Sequence, residues 1–291
     1  MATQSKAQFL NEVLTHLKKR YKLKPERSTP KLTILEAVVL GICHEDGTRE
    51  QALQALSRFK DNFFDWNEVR VSSLEEIQGS LGSLPNLEER AYRLRRFLRQ
   101  LFEKTYGFTL EALAKKPLKE SMKLLQEYEA LTSDYVLATV VQNALGGHAI
   151  PIDASLRRVL DRLGMVETDS DLPTLRGVLE RAVPKNRAAE FLELLEELAN
   201  DTCVDGEPDC PNCELRQICP TGLQRLEDGQ TTKPLAAKPA KETKDPKLSA
   251  KPTAATKVVK DPTAVPKDPS AVPKDPSAPQ KASKGKSTGA K

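Results

Sequence analysis

The chain has 291 residues, 38% of them hydrophobic, and carries 45 basic against 41 acidic side chains for a formal net charge of +4. That supports one large or two small folded units over a body of about 220 residues. No apolar run is long enough to span a bilayer, since the longest, Leu32 to Cys43, is interrupted by Thr33 and Glu36, and no secretory leader is read, so a cytosolic setting is expected.

The charge is unevenly placed. Residues 231–291 hold 14 lysines against five acids, ten of the 20 prolines, and neither cysteine nor an aromatic residue. This segment is +9, which leaves the first 230 residues at −5. It cannot bury enough apolar surface to offset chain entropy and is expected to be disordered. A seven-residue repeat starts at Lys260, Lys267 and Lys274. The tail reads either as an arm for phosphates or as a solubilising linker.

Residues 4–19 show helical spacing, with Phe9, Leu10, Val13, Leu14 and Leu17 on one face and Pro25 and Pro30 beyond it. Leu32–Cys43 reads as a buried helix, followed by a loop that begins at His44, then a helix over 49–59. Phe63, Phe64 and Trp66 are assigned to the core. Ser73 with Glu76 forms a capping box for a short helix. Asn86 to Glu103 is the clearest amphipathic helix, with Ala91, Leu94, Phe97, Leu98, Leu101 and Phe102 inward. Its stripe of Arg90, Arg93, Arg96 and Arg99 reads as a solvated face, with phosphate contact as the alternative.

Helices are then expected over Pro117–Tyr128, Thr132–Leu145, Ala154–Leu163, Leu172–Val183 and Lys185–Asn200, the last with Phe191, Leu192, Leu194, Leu195 and Leu198 inward. No useful alternating run appears, so the body is expected to be all-α. His44 and His148 are lone loop histidines without metal-like spacing.

Four of the five cysteines, Cys203, Cys210, Cys213 and Cys219, fall within seventeen positions. Thiolates this close can converge on one centre with little loop entropy to lose. The donor type suits zinc or an iron–sulfur cluster. Disulfides fit poorly without a sign of secretion. Zinc loops usually pair two short Cys-x-x-Cys knuckles, and only one is present here.

The C-x6-C-x2-C-x5-C pattern closing a helical region resembles the [4Fe-4S] loop of the endonuclease III family, within the helix-hairpin-helix DNA glycosylases. The resemblance runs from about Leu32 to Cys219. Ile150 to Leu156 looks like the family's segment V-D-T-H or V-D-A-N, with Asp153 at the aspartate, and Arg158 and Arg162 match R-V-x-x-R. The family's hairpin L-P-G-V-G-x-K-T-A aligns with Glu129 to Ala138. Tyr135 stands at its lysine, and both glycines are missing. Thr132 and Ser133 stand where they would be, and their hydroxyls are candidates to cap the helix and meet DNA. Leu40 to Asp46 looks like L-L-S-A-Q-A-T-D, with Cys43 at the glutamine. It reads as a buried small hydrophobe.

The resemblance implies a two-lobed all-α glycosylase scaffold. Residues 1–31 would supply an N-terminal helix packed on the cluster lobe, 32–145 a six-helix lobe, 146–222 the cluster lobe, and 223–291 the disordered tail. It implies a [4Fe-4S] cluster on Cys203, Cys210, Cys213 and Cys219, and a monomer acting on double-stranded DNA, with a protein partner possible through the tail. Asp153 would stabilise the sugar cation as a base leaves, Tyr135 would line the pocket, and Thr132, Ser133 and Arg158 would contact DNA. A tyrosine for the lysine argues against strand nicking through a Schiff base. Asp205, Glu207 and Asp209 replace basic residues of the cluster loop and oppose a phosphate there. Two functions follow: a monofunctional DNA N-glycosylase, or a non-catalytic cluster-bearing scaffold for DNA or protein. A zinc-bound helical protein is a third reading.

Overall fold

The computed structural model describes residues 5–22, 31–166 and 171–228. Pro25, Pro30 and the repeat-bearing tail lie outside these described residues. All regular structure among them is helical, and no helix among them is long and apolar enough to cross a membrane.

Reciprocal caps open four of the first five helices. Ser5 with Gln8 starts α1 (Lys6–Arg20), and Thr33 with Glu36 starts α2 (Ile34–His44). Thr48 with Gln51 starts α3 (Arg49–Asn62). After α4 (Trp66–Val71), Ser73 with Glu76 starts α5 (Leu74–Leu81). Each pair satisfies two backbone donors that a helix start leaves unpaired. The long α6 (Leu87–Thr105) is followed by α7 (Leu118–Leu125) and α8 (Asp134–Asn143). Then come α9 (Ala154–Arg162), α10 (Leu172–Ala182), α11 (Ala188–Asp201) and α12 (Pro220–Glu227). Residues 32–145 therefore carry seven α-helices rather than six. α12 crosses position 223, where the tail was expected to begin.

Two apolar cores form. One joins α2, α3, α5, α6 and α8 around Phe59, Phe97 and Ile77. The other joins α1, α9, α10 and α11 around Leu14, Val159 and Phe191. Leu10, Val13, Leu14 and Leu17 of α1 enter the second core, so the first helix packs with residues 150–215 far along the chain. At the centre of the first core α2 is buried on nearly every face, which is why it reads as a continuous apolar run. It meets α8 at Gly41, where an added Cβ would lie 3.0 Å from Val136 Cγ1 and 3.2 Å from Val136 Cα. Cys43, in the same helix, is fully buried, and burial pushes its thiol up to about 12.

Two expectations are corrected. Phe63 and Trp66 pack on the first core, but Phe64 is 96% exposed. Phe63 is extended, so successive side chains alternate and Phe64 points away from the core. The arginine stripe of α6 is only partly solvated. Arg90 is 6% exposed, and its Nε donates to Pro85 O at 2.6 Å. Its terminal nitrogens donate to Ile42 O and Glu45 O. Arg93 pairs with Glu45 at 2.5 Å and donates to Ala130 O at 2.8 Å, and Arg96 pairs with Glu129. The arginines at 90 and 93 thus tie α6 to the α2–α3 loop and to the turn before α8.

Candidate functional site

Asp153, itself extended, sits where an irregular segment from Ala149 turns into α9. It is the N-cap, and its Oδ1 accepts from the N–H of Leu156 at 2.7 Å. That bond uses one oxygen and fixes the side-chain rotamer. The carboxylate lines a cavity of about 50 Å³ with His44, Gly47, Tyr135, Pro151, Leu192, Glu196 and Asn200. Burial raises its pKa above the ordinary carboxylate value. The Leu156 bond and His44 act the other way, and Asp46 and Glu196 push it further up.

Tyr135, in the first turn of α8, lines the same cavity and is 6% exposed. Burial, then the negative charge of Asp153 and Glu196, drives its phenol well above the usual value. It stays a neutral O–H and offers no amine for a Schiff base. Two residues singled out on opposite sides of an eighteen-residue gap therefore line one cavity.

His44 is not a loop residue: it closes α2. Its ring and that of Tyr135 meet in a T-shaped arrangement, 5.8 Å between centroids and 77° between planes. Its Nε2 lies 3.1 Å from Glu196 Oε2, and the other oxygen of Glu196 accepts the N–H of Arg49 at 2.6 Å. Glu196 therefore bridges from α11 of the second core to the end of α2 and the start of α3 in the first. Leu192, partly buried against the second core as expected, also lines this cavity. Neither His44 nor Glu196 stood out as functional in the sequence, because their pairing spans 152 residues and neither belongs to a spacing motif.

The remaining expected site residues are held internally. Thr132 Oγ1 donates to Glu129 O at 2.8 Å. Ser133 caps α8, and its Oγ donates to Glu45 Oε1 at 2.5 Å. Arg158 donates to Cys203 O at 3.2 Å and Ala199 O at 3.3 Å, so these donors brace the cysteine loop instead of standing free for a phosphate. Arg162, one turn on, donates to Val204 O at 2.7 Å and lies 3.4 Å from Cys203 Sγ.

Cys203, Cys210, Cys213 and Cys219 line one small cavity of about 20 Å³ with Arg162, Thr202, Pro208 and Arg216. Burial raises the pKa of Cys210, Cys213 and Cys219, and the neighbouring thiols raise each further, which marks their mutual proximity. Among the described residues no three His, Cys, Asp or Glu side chains converge tightly enough for a metal ion. Four cysteines around a shared, largely apolar cavity that Arg162 and Arg216 also line are a donor set that suits an iron–sulfur cluster.

No protein-family model matches the chain. An endonuclease III homologue of Encephalitozoon cuniculi is 28% identical over 113 residues, which are 39% of this chain and 47% of the relative. The match thus spans about half of that curated relative's length. An endonuclease III trapped as a covalent intermediate with DNA superposes with a TM-score of 0.59 at 18% identity, over 77% of this chain and all of the other. A thermostable thymine-DNA glycosylase superposes with a TM-score of 0.54 at 18% identity, over 74% and 95% of the two chains. With its all-helical architecture and these likenesses, the chain is built on the helix-hairpin-helix DNA glycosylase fold and is similar over part of its length to an endonuclease III homologue.

Proposed function

We propose that this chain is a monofunctional DNA N-glycosylase of the base-excision-repair type, acting as a monomer on double-stranded DNA. The observation that carries it is the shared cavity of Asp153 and Tyr135, with the aspartate fixed at a helix start. As the bond from C1′ to the base nitrogen breaks, its electron pair leaves with the base and positive charge spreads over the sugar. The Asp153 carboxylate stabilises that cation, water adds at C1′, and the carboxylate or solvent takes the water's proton. Tyr135 supplies no amine, so the strand is left intact with an abasic site.

The four cysteines are the proposed holders of a [4Fe-4S] cluster. When bound, it would crosslink the loop after α11 to α12 and stabilise the second core. Arg158 and Arg162 already hold that loop against α9.

A second reading, a non-catalytic scaffold, is favoured by one observation. Glu45 brings a carboxylate to the N-terminus of α8 through Ser133, the place where a hairpin of the family would meet a phosphate. The exposed Asp205 and Glu207 add to it.

Single-turnover base release on duplexes with damaged and mismatched bases decides between the two. Wild type is run beside Asp153→Asn, with heat or alkali afterwards to reveal abasic sites. Release lost in the variant, with no nick before alkali, establishes the glycosylase. No release from any duplex by a cluster-loaded protein establishes the scaffold.

A further inference from the structure

The Asp153 cavity is half of a larger arrangement. A second cavity of about 200 Å³ adjoins it and shares four of its walls: His44, Pro151, Leu192 and Glu196. The first cavity has room for a water-sized group but not for a purine or pyrimidine. The second is four times as large, and Gln142, Asn143 and His148 offer it polar edges. His44 and Glu196 therefore stand between a carboxylate suited to a sugar cation and a space suited to a base.

We infer that His44, oriented by Glu196, is the general acid that protonates the departing base. This rests on the glycosylase reading above.

The geometry supports it at three points. Glu196 Oε2 lies 3.1 Å from His44 Nε2, so Nε2 donates to the carboxylate and Nδ1 is left to exchange a proton. Glu196 is itself pinned by the N–H of Arg49 at the start of α3. The Tyr135 ring packs on the imidazole in a T-shaped arrangement and limits its rotation. The side chains of His44 and Glu196 are 15% and 24% exposed, enough to exchange protons with solvent between turnovers.

The step balances. Imidazolium Nδ1–H gives its proton to a ring nitrogen or exocyclic oxygen of the base as the C1′–N bond breaks. The base leaves neutral and the histidine becomes neutral. Water adds to C1′ and releases one proton, which returns the imidazole to its acid form directly or through solvent. Asp153 carries the sugar's charge and His44 the base's, so the two halves of the bond cleavage have separate residues.

A general acid matters most for a base that leaves poorly, which separates this role from a structural one. Three duplexes are used, bearing uracil, 5-fluorouracil and 3-methyladenine. Fluorine stabilises the departing anion, and 3-methyladenine is already cationic and leaves neutral without a proton. His44→Gln is expected to slow uracil release about 100-fold or more, 5-fluorouracil release less, and 3-methyladenine release little. Glu196→Gln keeps the shape and hydrogen bonding of the pair and is expected to give the same order with smaller losses. It also stands in if His44→Gln folds poorly, with melting temperature measured for both. Asp153→Asn should slow all three alike. Equal losses on all three in both pair variants, or no loss, overturn the assignment of His44 while the glycosylase stands. Failure of wild type to release any of the three overturns the glycosylase reading for these bases and the acid with it.

Discussion

The crossing of α2 and α8 at Gly41 offers a measurable test of how the site is built. In Gly41→Ala the new methyl meets Val136 Cγ1 at 3.0 Å, Val136 Cα at 3.2 Å and Thr139 Cβ at 3.4 Å. The Cγ1 methyl has limited freedom in a helix and the backbone Cα has none, so the two helices must part by a few tenths of an ångström. Overpacking of this kind costs about 1–3 kcal/mol. Alanine in place of glycine inside a helix returns about 1 kcal/mol. The net expectation is a loss of about 0–2 kcal/mol, read in urea as a lower midpoint at unchanged slope. Val136→Ala removes the 3.0 Å contact but leaves the 3.2 Å one, so the double variant should recover part of the loss, a coupling of about 0.5–1 kcal/mol. The separation also reaches the cavity, because His44 ends α2 and Tyr135 precedes Val136 on α8. Base release should therefore fall more than stability alone requires. Stabilisation by a full 1 kcal/mol, additive with Val136→Ala, would refute a close crossing.

Arg90→Met should lose about 2–4 kcal/mol, because the carbonyls of Pro85, Ile42 and Glu45 lose their donor. An unchanged denaturation midpoint would show that water replaces it. Asp153→Asn tests the raised pKa of the buried carboxyl. A folded pKa above the unfolded one means that ionised Asp153 opposes folding. The cost is fully present above the folded pKa and disappears as pH falls below the unfolded value. The variant should therefore melt at or above wild type near pH 8, and the difference should shrink on acidification; an acid-side gain would reverse the sign. Serine at Cys203, Cys210, Cys213 or Cys219 should lower iron and acid-labile sulfide content and the melting temperature together, whereas wild-type iron in all four variants would remove these cysteines as its ligands.

The helices were legible because each carries its own local signals. The Ser73–Glu76 box and the apolar face of α6 mark them, and those signals act within a few residues. The arginines of α6 were less legible. Their three-residue spacing is that of a surface stripe, yet Arg90 turns inward because loop carbonyls near Ile42 and Pro85 lack helix partners. That demand comes from the packing of loops distant in sequence. Asp153 and Tyr135 were found through resemblance, and a helix N-cap alone would have explained the aspartate. His44 and Glu196 had no such signal. A histidine at a helix end and a glutamate on an amphipathic helix become a pair only when two cores close on each other.

The acidity of the site distinguishes the two functional readings by sign. Of the carboxylates near the cavity, Glu45 is balanced by Arg93 and Ser133, and Glu196 by His44 and the start of α3. Among the described residues Asp153 accepts one hydrogen bond, from a backbone N–H at Oδ1, and burial, with Asp46 nearby, raises its pKa. Such a site repels phosphate but attracts a cationic sugar, so a catalyst should prefer the charge of the transition state over the neutral ground state. A duplex with a pyrrolidine in place of one sugar carries that charge, and a tetrahydrofuran duplex of the same shape does not. Two unit charges about 4 Å apart at an effective dielectric near 20 attract by about 4 kcal/mol before desolvation. A surviving third to half of that predicts about 10–30-fold tighter binding of the pyrrolidine duplex. The ratio, unlike either affinity, should change little with salt, because both duplexes release the same counterions. Asp153→Asn should bring the ratio close to one. A ratio of one in wild type would mean that Asp153 faces no sugar and that the carboxylate is only a helix cap.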